Sequence, residues 1–207
     1  MKAYTYIADL FRYPTAESKE QVHRVAEFLE QNDALLHAGF KPFQDYFTNH
    51  PVTHLEEHYI RTFDVRAICH LDIGYIIFGD DSKRGRFLYH MKEEQLETSN
   101  DCGSELADFL PNMLTLLSKT DKLNFAEELS VSILLPALSK ISQKLESENN
   151  IYKIPVKILI SLLEQQFQNS EYEAVVIGTQ DKPSFLNNYA TGIDKSLFGK
   201  KPFKLGT

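Results

Sequence analysis

The chain has 207 residues, 43% hydrophobic and 25% charged, with a formal net charge of -7. That length suits one well-buried domain and is short for two. The acidic balance counts against broad nucleic-acid binding, which needs a basic footprint, and suits a partner that carries basic residues.

Apolar positions recur at helical spacing along most of the chain and predict an all-α protein. Tyr6, Ile7, Leu10 and Phe11 form the first stripe. It stops at Tyr13-Pro14, because the residue before a proline is pushed out of the helical region. A second helix is expected from Thr15 to Gln31, with Val22, Val25, Ala26 and Leu29 facing inward. Gly39 and Pro42 interrupt the stretch from Leu35 to Asn49 and leave a short helix around Phe43 to Phe47. Thr53 and Glu56 match the S/T-x-x-E capping box at the head of the next helix. There Leu55, Tyr59 and Phe63 fall at i, i+4 and i+8, and Glu57 and Arg61 form an i,i+4 pair in the favourable order.

Between Ala67 and Phe78 the chain is apolar. "IGYIIFG" has the composition of a strand, but its place among helices predicts a buried loop or short helix. Asp80, Asp81 and Ser82 offer N-caps to a helix reaching about Leu96, with Phe87, Leu88 and Met91 inward. After the polar break "ETSNDCGS", Asp108 can cap a helix that carries Pro111 in its first turn and buries Leu110, Met113, Leu114 and Leu117. Asn124 is expected to cap a helix running to about Ser147, bent at Pro136. A last helix has Pro155 near its start and Ile154, Ile158, Leu159 and Leu162 on one side. From Ser170 onward five lysines stand against four acidic residues, so the negative charge sits in the helical body. The expected organisation is a helical domain over residues 1–168 and a mobile C-terminal tail over 169–207, with docking segments "AVVIG" and "SLFGKKPF".

His54-Leu-Glu-Glu57-His58 matches the H-x-x-E-H pattern of the inverted zinc proteases, in which two histidines one turn apart bind zinc beside a glutamate base. A zinc hydrolase on His54, Glu57 and His58 would need a third ligand, for which Glu127 or Glu128 is available along the chain. A capped helix with one ion pair and two half-exposed imidazoles accounts for the same residues without a metal, and is the reading adopted. His50 extends the spacing, but Pro51 puts it outside the helix. There is no G-x-S-x-G, no phosphate-cradling G-x-x-x-x-G-K-[ST] and no G-x-G-x-x-G. The two cysteines, Cys69 and Cys102, read as reduced thiols of a cytoplasmic protein, and the adjacency of Cys69 and His70 does not arrange a thiolate with a base. No basic start followed by an apolar core opens the chain, and no run approaches the roughly 20 apolar residues of a membrane span. No catalytic residue and no cofactor is assigned.

Three stretches in order point to a family: Tyr59-x-x-x-Phe63-Asp64, "FGDDSKRGRFLYHMKEEQ" with Arg84-Gly85, and "SELADFLPNMLTLLS". Together they resemble the redox-enzyme maturation chaperones of the NarJ/TorD type, over roughly residues 50 to 168. The third stretch is similar to that family's E-x-P-D-H-L-P signature at Glu105, Asp108, Leu110 and Pro111, with Ala107 and Phe109 in place of its proline and histidine. The resemblance implies a TorD-like helical bundle that catalyses nothing. Its implied partner is the N-terminal or leader segment of a molybdenum-cofactor oxidoreductase catalytic subunit, held while the cofactor is inserted. By that resemblance Asp64, Glu105 and Asp108 are candidates for an acidic groove rim, with Tyr59, Phe63 and Leu110 as groove or core residues beside Pro111. Arg84 either pairs with Asp64 or, with Gly85, allows close helix packing. A helical adaptor unrelated to redox enzymes is the remaining alternative.

Overall fold

A computed structural model describes residues 2–175 and residue 177. Among these the regular elements are helical: α1 (Lys2–Asp9), α2 (Ser18–Asn32), α3 (Ala34–Asn49), α4 (Val52–Phe63), α5 (Ile73–Phe78), α6 (Ser82–Glu97), α7 (Leu110–Lys119), α8 (Leu123–Glu128), a π-helical segment (Leu129–Leu134), α9 (Leu135–Ser147) and α10 (Lys153–Gln166). The chain is all-α, as its periodicity predicts. Extended pairing among the described residues is limited to one antiparallel bridge between Asp72 and Phe109.

The inward stripes meet in one core that runs from Tyr4 in α1 to Leu163 in α10. α1 lies against α2 and α7, α3 against α2 and α10, and α9 against α5 and α10, while α6 touches α5 and α7. Polar contacts pin the N-terminal helix at both flanks. The Tyr4 hydroxyl donates to Gln166 Oε1 at 2.7 Å and the Thr5 hydroxyl to Ser118 Oγ at 2.7 Å. No helix of the described residues is long and apolar enough to cross a membrane.

Four local expectations are corrected. α3 is one continuous helix despite Pro42, with Asp33 capping its start by accepting from the amides of Leu35 and Leu36. Phe40, Phe43 and Phe47 then bury a single stripe. Each buried Phe contributes about 2 kcal/mol, enough together to outweigh the roughly 3 kcal/mol cost of an interior proline. The Thr53–Glu56 capping box is not formed: α4 starts at Val52, its N-cap is Pro51, and the Pro51 carbonyl takes the amides of His54 and Leu55. Proline holds φ at -68° there and makes the turn without help from a hydroxyl.

Asn124 does not cap either, since α8 begins at Leu123 behind Lys122. The disturbance expected at Pro136 lies one turn earlier, as the π-helical segment, where the Leu135 amide reaches back to the Ser130 carbonyl. Pro136 has no amide to offer the Ser132 carbonyl four residues before it, and that oxygen accepts from Val175 at 3.0 Å. Val175 and Ile177 pack on the core, so the start of "AVVIG" docks as expected. "SLFGKKPF" and the rest of the predicted tail beyond Ile177 lie outside the described residues.

Candidate functional site

An open groove of about 570 Å³ forms where the C-terminus of α4 meets the loops before α5 and α7. Its position follows from local chemistry. The Ile73 amide donates to the Asp108 carbonyl at 3.0 Å and the Leu110 amide to the Leu71 carbonyl at 2.9 Å. This short bridge clamps residues 71–73 to residues 108–110, which are 37 positions apart along the chain. Side-chain amides hold the rest of the second loop. Gln95 donates to the Ala107 carbonyl, Asn112 to the Leu106 carbonyl, and buried Asn100 to both Gln95 Oε1 and the Asn112 carbonyl. Glu105 is thereby carried to the groove wall.

Tyr59 and Phe63 form the floor, both nearly buried. They meet edge to face at 5.1 Å, with Tyr13 against Tyr59 at 5.6 Å and Tyr152 behind Phe63 at 4.8 Å. The Tyr59 hydroxyl donates to the Phe11 carbonyl at 3.0 Å, which fixes the ring. Three carboxylates, Asp64, Asp72 and Glu105, line the walls against one guanidinium, Arg12, itself 3.7 Å from Asp9. Their field reaches the floor. Burial first, then the charges of Glu105 and Asp64, push the Tyr59 hydroxyl to a higher pKa. Such a cleft, aromatic beneath and acidic at the rim, suits a cationic chain lying across it.

Of the residues singled out in the sequence, Tyr59, Phe63, Asp64 and Glu105 come together in this groove. Asp108 does not join them and does not cap α7, whose N-cap is Phe109. It is fully buried, and its Oδ2 accepts from the Gly74 amide at 3.1 Å, so it caps α5 from across the bridge. Gly74 is required at that contact, because an added Cβ would stand 2.7 Å from Asp108 Oδ2 and 2.8 Å from the Phe87 ring. Arg84 faces Asp108 at 3.8 Å and lies over the Tyr75 ring at 5.3 Å, so its expected pairing with Asp64 is replaced. The 3.8 Å separation is too long for a hydrogen bond, and both Asp108 Oδ1 and Arg84 Nε lack one among the described residues. Desolvation, then the nearby Asp72, push the Asp108 carboxyl up to about 6, against Arg84 and the Gly74 amide. Gly85 has open space around it and serves no close packing. Leu110 and Pro111 are core residues of the first turn of α7.

Sequence reading missed Arg12, Tyr13, His70, Leu71 and Asp72 as groove residues, and saw Phe109 only as a departure from a motif. Asp72 carried no signal, since an aspartate before a helix reads as a cap; here its side chain caps nothing among the described residues.

The histidines of "THLEEH" both lie near the Tyr46 ring but hydrogen-bond to different partners. His54 Nε2 is 3.0 Å from the Tyr46 hydroxyl and its ring stacks on His50, whereas His58 Nε2 is 3.3 Å from Asn150 Oδ1 and its ring stacks on Tyr152. Glu57 pairs with Arg61. Among the described residues no three His, Cys, Asp or Glu side chains are grouped to hold a metal ion, and neither Glu127 nor Glu128 completes such a set. Both cysteines are free. Burial pushes the Cys69 thiol up to about 12, away from nucleophilic use. Compared with known families and curated proteins, the chain matches no family model and no curated protein.

Proposed function

We propose that this protein is an assembly chaperone of the NarJ/TorD type. It binds the N-terminal or leader segment of a molybdenum-cofactor oxidoreductase catalytic subunit and holds that subunit while the cofactor is inserted. In this reading it works in the cytoplasm, breaks no bond in its ligand and needs no cofactor of its own.

One observation carries the reading. Tyr59, Phe63, Asp64 and Glu105, drawn from two separate stretches of the family resemblance, line a single open groove. Asp72 adds a third carboxylate there. An arginine crossing this groove would meet acceptors able to take two parallel N–H bonds, the strongest form of charge-assisted recognition. Apolar neighbours of that arginine would lie against Tyr13 and Phe109. The floor is already fixed by the Tyr59 bond to Phe11, so little ordering is left to be done on binding.

Calorimetry with the N-terminal peptide of the molybdenum-enzyme catalytic subunit encoded beside this chain tests the proposal. Binding is expected, weakened about tenfold by Asp64→Lys and by Glu105→Lys, a loss of about 1.4 kcal/mol each. Both side chains are exposed, so the fold should persist in either variant. Failure of that subunit to bind in any form would sink the reading.

A further inference from the structure

The C-terminal tail and the acidic groove match in chemistry, and the groove adjoins the cavity at which the described chain ends. The described chain ends at Ile177, held close to the core by the Val175 bond to the carbonyl that Pro136 leaves free. Ile177 lines a second cavity, of about 400 Å³, between α5 and α9. His70 lines this cavity and the acidic groove alike, so the two adjoin.

Charge decides where a basic segment settles. The cavity at Ile177 is flanked by Lys140 and Lys144, which repel lysines, whereas the groove beyond His70 carries three carboxylates against one arginine. Residues 178–207 contain five lysines and two aspartates, and Ser196–Phe203 sets Lys200 and Lys201 among Leu197, Phe198 and Phe203. That pairing of apolar and cationic side chains is what the aromatic floor and acidic walls select. Reach is no obstacle, because the eighteen residues between Ile177 and Ser196 extend to about 60 Å.

We propose that Ser196–Phe203 of this same chain occupies the acidic groove when no other ligand is bound, so that an incoming peptide must displace it. The contact stands by itself; its competition with a client peptide rests on the function proposed above. A tethered segment sees its site at an effective concentration of about millimolar. Even a weak intrinsic affinity in that range lowers the apparent affinity of a competing peptide by a factor of about 2 to 10.

The test uses the full chain carrying Phe198→benzoylphenylalanine, irradiated and digested for mass spectrometry. Cross-links within one chain, to peptides spanning residues 64–72 or 105–109, are expected. Asp64→Lys with Glu105→Lys should abolish them, and adding Lys200→Glu with Lys201→Glu should restore them by exchanging the charges. Cross-links confined to residues 140–144, scattered over the surface, or formed only between two chains would overturn the proposal, as would failure of the exchange to restore them. The N-terminal client peptide is then added. Loss of the cross-link supports both readings. A persisting cross-link with no peptide binding leaves the tail contact standing and removes the function; peptide binding with no cross-link in its absence does the reverse.

Discussion

Raising the pH from about 4 to about 7.5 should cost the fold about 2 kcal/mol through one carboxyl group, that of Asp108. The group is fully buried, accepts one bond from the Gly74 amide, and has Oδ1 without a hydrogen-bond partner among the described residues. Its pKa is raised from 3.8 to about 6 by desolvation first and Asp72 second. Between those two values the folded chain keeps a proton that the unfolded chain has released. The native state therefore binds more protons, and stability falls as the pH rises. The loss is absent below about pH 4 and complete somewhat above pH 6, with a ceiling of about 3 kcal/mol at 1.36 kcal/mol per pKa unit. Urea unfolding of the wild type and of Asp108→Asn at several pH values measures it. Asparagine still offers the Gly74 amide an acceptor and cannot ionise. The stability of the variant minus that of the wild type should accordingly grow by about 2 kcal/mol across the range. The subtraction removes His58 and His90, whose lowered pKa values act in the opposite sense as pH falls through the histidine range. A difference constant to within about 0.5 kcal/mol would refute the idea that an ionised carboxylate is desolvated at this site.

The α5 contact gives a steric prediction. Gly74→Ala should destabilise the protein by about 2 to 4 kcal/mol, since the methyl meets a buried carboxylate and the Phe87 ring, whereas Gly85→Ala, in open space on α6, should be neutral or stabilise by up to about 1 kcal/mol. Equal effects of the two substitutions in urea unfolding would contradict the geometry. Buried Asn150 ties α4 to the turn before α10 by bonding His58 Nε2, the Thr62 hydroxyl and the Tyr152 amide. Asn150→Ala should cost about 2 to 3 kcal/mol by removing the acceptor of the Tyr152 amide and the partner of His58 Nε2, while the Thr62 hydroxyl keeps its bond to the His58 carbonyl. A loss below about 0.5 kcal/mol would show that the network is dispensable.

Two features of the site explain how far the chain could be read unaided. Tyr59, Phe63 and Asp64 are neighbours on one helix end, so local spacing and a family likeness brought them together with Glu105 as candidates. Asp108 sits in the same motif as Glu105, three positions away, yet the structure sends one to the groove and the other to the core. A turn between them causes that separation: the Phe109 amide donates to the Leu106 carbonyl at 3.1 Å, and the Asp72–Phe109 bridge then holds Asp108 against the start of α5. A motif names residues; it does not say which way they face.

The helices themselves were written in the periodicity of the chain. Apolar stripes such as Val22, Val25, Ala26 and Leu29, or Leu55, Tyr59 and Phe63, encode burial through the 3.6-residue repeat of the backbone and need no distant partner to be recognised. What the chain alone left undecided was every feature that depends on two remote segments meeting. The unbroken α3 through Pro42 rests on packing against α10 and Tyr152, and the Ser132 carbonyl, to which Pro136 offers no amide, is answered by Val175. The cap of α5 comes from Asp108, 34 residues further along. Such contacts are set by the free energy of the assembled core, to which no local pattern of residues corresponds.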